Sequence, residues 1–213
     1  MTEWIGGLVR LLSFPICNRL RHDAMVKPTR RADFEGRRIA VPYSAAAVGN
    51  HILALGRQES IPIDQMKLQK LLFYTQAWHL AEKDAPLIEE EIEAWPWGPV
   101  VRSIYYQTAG SGRDPISQEF TSVVKAGDGP LSWRLRIPRV EVPEDAEYIK
   151  QVWDIHKSFT GIQLSNSTHA PGEPWTIVKD QYGTLETKPP IPNDLIKAVF
   201  RQKLENAANT AAE

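Results

Sequence analysis

With 213 residues, 42% hydrophobic and 24% charged, the chain has the make-up of a globular protein able to bury a core without staples. A formal net charge of −1 gives no whole-chain attraction to nucleic acid or to an anionic membrane. The lone cysteine, Cys17, excludes an internal disulfide and suits a reducing cytoplasm.

The first stretch, W-I-G-G-L-V-R-L-L-S-F-P-I-C (4–17), is apolar but is broken by Arg10, two glycines and Pro15. It is too short to span a bilayer, and it lacks the basic start and small-residue cleavage site of a signal peptide. Residues 19–38 follow with seven basic side chains against three acidic ones. A solvated leader, a translation start at Met25, and a basic arm for a partner or nucleic acid are the readings of this part. Residues 1–42 are therefore expected to form an extension outside the folded domain.

Helical spacing begins at Ala45, Val48, Ile52 and Leu55, with Ser44 placed as N-cap. Asp64 caps the next helix, predicted from about Gln65 to Lys83. At 100° per residue, Leu68, Leu71, Leu72, Thr75 and His79 fall in one arc, and Phe73, Ala77 and Leu80 make a second. Lys67, Lys70 and Tyr74 share the polar side between them. Two apolar arcs predict neighbours on two sides and mark this helix as the centre of the domain. The acidic run 89–93 reads as a solvated linker, with a metal site or a surface for a basic partner as the alternatives. Gly98-Pro99 is expected to start a third helix, since proline suits a first helical turn, and Gly110 and Gly112 to stop it.

Trp133, Leu135 and Ile137 alternate with Ser132, Arg134 and Arg136, and a Gly-Asp-Gly-Pro turn lies before them. This predicts a β-hairpin whose other strand is Thr121 to Lys125. Helices follow over 145–159 and 162–169. Pro171, Gly172 and Pro174 are expected to break the chain before Trp175. A last helix starts near Asn193, and the tail 207–213 should fray. The predicted fold is mainly α: a compact helical domain, 43–206, with one small β-hairpin insertion.

Chemistry-bearing motifs are sparse. There is no phosphate-binding glycine loop, no H-E-x-x-H, no G-x-S-x-G and no Cys/His cluster of zinc spacing. His79 on the apolar arc reads as a core histidine tied to a hydrogen-bond partner, with a general base or metal ligand as the alternative. His169, in S-N-S-T-H-A-P-G-E-P-W, reads as a loop anchor, with catalysis as the alternative. The segment A-W-P-W-G-P-V-V (94–101) carries two indoles on a backbone stiffened by Pro96 and Pro99. One ring is expected in the core and the other outward as a binding anchor.

Three ordered motifs carry a family likeness: M-K-L-Q-K-L-L-F-Y-T-Q-A-W-H-L (66–80), I-E-A-W-P-W-G-P-V-V (92–101) and L-S-N-S-T-H-A-P-G-E-P-W (164–175). Together they resemble the Panacea domain, the SocA-like antitoxin family also catalogued as DUF4065, over about 43–206. The resemblance implies a mainly helical, cytoplasmic protein of bacterial or phage origin that neutralises a cognate toxin by binding it. It implies no enzymatic activity, cofactor or metal. The family-typical positions are Lys67, Gln69, Lys70, Tyr74, Gln76 and His79 on the central helix, and Trp95, Gly98, Pro99 and Val100 at the corner. Thr168, His169 and Trp175 complete them at the loop. Trp97 and the hairpin residues Arg134 and Arg136 are the further candidates for partner contact. Two readings compete: a hydrolase or metal enzyme using His79 and His169, and a nucleic-acid-binding regulator working through 19–38.

Overall fold

A computed structural model describes residues 41–127, 129 and 132–210. The apolar run 4–17 and the basic stretch 19–38 lie outside the described residues. Seven α-helices and two antiparallel hairpins follow one another: α1 (Ala45–Gln58), α2 (Gln65–Lys83), β1 (Ile92–Trp95), β2 (Gly98–Val101), α3 (Arg102–Thr108), β3 (Ser122–Lys125), β4 (Trp133–Arg136), α4 (Pro143–His156), α5 (Gly161–Thr168), α6 (Pro174–Tyr182) and α7 (Asn193–Thr210).

The helix starts follow local chemistry. Ser44 Oγ accepts from Ala47 N, and Asp64 Oδ1 accepts from Lys67 N, so both caps sit where the sequence puts them. Thr160 and Gln163 close a capping box at α5. Pro143 and Pro174 stand in the first turns of α4 and α6, where a missing N–H costs nothing.

α2 is the centre. Every residue from Lys67 to Ala81 is buried, and α1, α3, α4, α5, α7 and β2 all pack around it. The core spreads from Leu68, Leu72 and Phe73 to Ile52 of α1, Ile149 and Trp153 of α4, and Ile196 and Phe200 of α7. The two apolar arcs behave as predicted. The polar side between them does not face water: Lys67, Lys70 and Tyr74 are as buried as the leucines.

Several predicted elements change. Gly98–Val101 is a strand, not the start of a helix, and pairs with β1 in the register Trp95↔Gly98 to Ile92↔Val101. β-branched Val100 and Val101 favour the pleat, and Pro99 is accommodated in a short two-stranded ribbon. α3 therefore begins only at Arg102. The opposite edge of β1 is closed by a strap, with Ala94 N donating to Pro189 O and Ile191 N to Ile92 O.

The chain does break before Trp175, at 169–173, and Pro174 then opens a helix the sequence did not predict, α6, which carries Trp175. α4 spans Pro143–His156 and leaves Phe159 beyond its end. α7 runs to Thr210, past the end expected at Asn206. The acidic run is not a free linker either. Glu90 accepts from Ala45 N at 2.7 Å, at the start of α1, and Glu93 accepts from the Trp95 indole at 2.8 Å.

The predicted hairpin exists as β3–β4, with Val123 opposite Leu135 and Lys125 opposite Trp133. Its apolar face stays open, and Leu135 is 74% exposed. Its roots are held by Asn50, fully buried on α1. The Asn50 amide donates to Phe120 O and Pro138 O, and its oxygen accepts from Phe120 N at 2.8 Å. Asn50→Ala leaves all three backbone groups without these bonds, at an expected cost of about 2–4 kcal/mol. Urea unfolding of the two proteins measures this difference.

Candidate functional site

The polar side chains of α2 are spent on other segments' backbones. The Gln69 amide accepts from Val101 N at 2.8 Å and donates to Val101 O at 3.2 Å. Gln76 does the same for the approach to β1, accepting from Leu87 N and Ile88 N and donating to Ile88 O. Each glutamine acts as one rung of a ladder that a strand would otherwise supply. Lys67 Nζ donates to Lys157 O at 2.7 Å, at the end of α4.

Lys70 makes the most demanding of these contacts. It is 1% exposed, and its Nζ donates to Trp97 O at 2.7 Å and Pro99 O at 3.2 Å, both in the β1–β2 hairpin. Ser165 Oγ of α5 donates to the same Trp97 oxygen at 2.9 Å. No carboxylate pairs with Lys70 among the described residues, and burial pushes its ammonium down to about 7. Gly98, at φ +104°, lies against this contact. A Cβ there would stand 2.5 Å from Lys70 Nζ and 2.9 Å from Thr168 Oγ1. Glycine is required on both counts, conformation and space.

The two indoles divide as expected. Trp95 is inside at 8% exposure, and Trp97, at the tip, is 73% exposed. Trp175 is buried on α6 and donates its indole N–H to Trp95 O at 2.8 Å. His169, at the C-cap of α5, stacks on Trp175 with ring centroids 3.9 Å apart. Burial, then the charges of Lys70 and Lys179, hold its imidazole below the usual range. Thr168 Oγ1 donates to Ser165 O, and Val100 is buried on β2. Lys70, Trp95, Trp97, Gly98, Pro99, Val100, Thr168, His169 and Trp175 thus form one assembly.

His79 belongs elsewhere. Its Nδ1 lies 2.7 Å from Ala85 O and its ring packs edge-on against Tyr148. It follows Lys70 on α2 by nine residues, about 13 Å of helical rise, whereas His169 sits at the Lys70 end. The two imidazoles are not brought together, so the acid/base pairing of the enzyme reading has no site. Tyr74 stacks on His156 with centroids 4.5 Å apart and is likewise core. Arg134 and Arg136 are exposed on β4, with Arg136 ion-paired to Glu141. Among the described residues, no three His, Cys, Asp or Glu side chains group to hold a metal ion.

Three members of this region escaped sequence reasoning. Ser165 could have been found, since it lies in the third motif. Lys179 and Lys188 carried no local signal. Lys188 Nζ sits 3.7 Å above the Trp95 ring, and Lys179 Nζ lies 5.3 Å from that of Trp175.

A family model described as "Antitoxin SocA-like, Panacea domain" matches residues 68–176. The protein described as Antitoxin SocA of Caulobacter vibrioides (strain NA1000 / CB15N) is 31% identical over 141 residues, 66% of this chain and 72% of the relative. No solved structure gives a significant match. No helix among the described residues is long and apolar enough to cross a membrane.

Gly98→Ala is expected to cost about 2–4 kcal/mol, from left-side backbone strain and the clash with Lys70 together, read by thermal or urea unfolding. Lys70 gives a pH test. Its folded value of about 7 lies below its ordinary 10.5, so between those values the unfolded chain holds more protons and stability rises with pH. Unfolding of wild type against Lys70→Met should show this rise over that window, and the rise should be missing in the variant.

Proposed function

Because the chain belongs to the SocA-like antitoxin family with a Panacea domain, we propose that it neutralises a cognate toxin in the cytoplasm by direct protein–protein binding, with the Trp97 turn as the docking anchor. Kinship with an antitoxin supports a regulator that acts by contact and not by catalysis. The observation that carries the docking site is the braced turn. Trp97 projects into solvent while Lys70 and Ser165 hold its own carbonyl from inside. An exposed indole on a fixed backbone loses little freedom on binding, and tryptophan is enriched among residues that dominate interface energy.

We assign partner choice to the β3–β4 hairpin. It projects from the Asn50 clamp with Val123, Trp133 and Leu135 open on one face and Arg134 and Arg136 on the other. A frame shared across a family cannot by itself distinguish partners, so selectivity needs surfaces such as this one.

The first experiment expresses the adjacent gene from an inducible promoter, with and without this chain. Growth arrest relieved only by co-expression, together with co-purification of the two proteins, is the expected result. Trp97→Ala should then weaken the complex by about 2 kcal/mol or more, roughly 30-fold, with an unchanged unfolding midpoint. An unchanged affinity with a lowered midpoint would make Trp97 a structural residue.

A further inference from the structure

We propose that the face around Trp97 receives a carboxylate-bearing segment of the partner protein, gripped by Lys179 and Lys188 on either side of the Trp95–Trp175 pair. This rests on the reading of the chain as an antitoxin that binds its toxin directly.

Each of the two lysines holds its Nζ over an aromatic ring. Neither Lys179 nor Lys188 makes an ion pair among the described residues, although Asp180 and Glu186 lie close in sequence. The acids that touch this assembly are already engaged. Glu93 is bridged to Arg102 at 2.9 Å and holds the Trp95 indole, and Glu173 is paired with Lys203 through Oε1, its Oε2 being buried without a partner among the described residues. Beneath the turn, Lys70 has only carbonyl partners. The charged form of His169 is disfavoured by burial first and then by Lys70 and Lys179, and its Nε2 is buried without a partner among the described residues. Lys179 and Lys188 are therefore ammonium groups of this region left without an ion-pair partner among the described residues.

Lys188 adds a separate observation. It sits at φ +51°, in the left-handed region that side chains other than glycine, asparagine and aspartate rarely enter. Its amide is fixed in a turn to Leu185 O. Glycine would meet the backbone demand at no cost, so the strain is borne by a residue whose ammonium ends over Trp95. Strained backbone of this kind collects at functional positions. An ammonium lying on a ring keeps N–H donors free on its other side. A carboxylate docked there would gain charge-assisted bonds, strengthened as Trp97 and the partner exclude water.

Two cations suit one acidic cluster. Tight nucleic-acid binding draws on a longer row of phosphate contacts. Lys179 and Lys188 also lie beyond residues 68–176, the span of the family match, whereas Trp95, Trp97, His169 and Trp175 lie within it.

The test uses the full chain and the toxin identified in the growth assay. Affinity is measured at low and high salt for wild type, Trp97→Ala, Lys188→Gly and the double variant Lys179→Glu/Lys188→Glu. The double variant should bind at least tenfold more weakly and lose most of the salt dependence. Lys188→Gly should lose affinity while its unfolding midpoint stays level or rises, a pattern that a structural role would reverse. A readout without toxin comes from Trp97 fluorescence, taken as wild type minus Trp97→Phe. Iodide should quench it more than caesium, and the double variant should remove the difference.

Unchanged affinity in the lysine variants, with loss in Trp97→Ala, overturns the carboxylate proposal and leaves the docking site standing. Unchanged affinity in all of them places the toxin on another face and overturns both. A duplex DNA fragment that binds through the two lysines and displaces toxin would overturn it in favour of nucleic acid.

Discussion

A helix buried on almost every side must satisfy most of its polar groups from its neighbours, and that constraint organises this protein; Trp78 Nε1 and Glu82 Oε1 are the buried α2 side-chain atoms left without a partner among the described residues. α2 carries two lysines, two glutamines and a histidine at full depth. All are at most 6% exposed, and an unpaired polar group at that depth costs several kcal/mol. Each is satisfied by backbone from a segment that wraps the helix: Lys67 by the end of α4, Gln69 by β2, Lys70 by the β1–β2 hairpin, Gln76 by the approach to β1, His79 by the loop after α2. The non-helical parts have no large sheet to join, so α2 supplies hydrogen bonds that a sheet would otherwise provide.

The same constraint produces the exposed feature. Lys70 and Ser165 hold the turn from beneath, Trp175 holds Trp95 from the side, and the strap at 189–191 closes the edge of β1. With its backbone fixed at so many points, the tip side chain has only one direction left, outward. Trp97 is exposed because everything around it is tied down. That is the arrangement expected of a rigid anchor for a partner, in a family of antitoxins.

How far the sequence could be read depended on the range of the interactions. α2, its Asp64 cap and the α1 cap at Ser44 come from contacts within four residues, and they stand where the spacing put them. Gly98-Pro99 offered a conflicting local signal, because proline suits both a helix start and a short edge strand. Gln69, thirty-two residues away, resolved it by pairing with Val101. Pro174 carries two signals at once: it closes the expected break at 169–173 and it opens α6. Among the site residues, the motif positions at 67–79, 95–100 and 168–175 were legible as types. Their division was not, and His79 and Tyr74 turned out to be core.

By itself, the sequence determined the helical periodicity, the caps, the central place of α2 and the stiff double-tryptophan corner. These rest on hydrophobic spacing and on backbone preferences that act locally. Only the tertiary structure decided that Lys67 and Lys70 point into backbone and not into water, that one indole is buried and the other free, and that Lys179 and Lys188 lie over the indoles of Trp175 and Trp95. Those outcomes depend on which distant segment reaches each side chain first, and residue type does not encode that distance. A lysine is written the same way whether a solvent shell or two carbonyl oxygens await its ammonium.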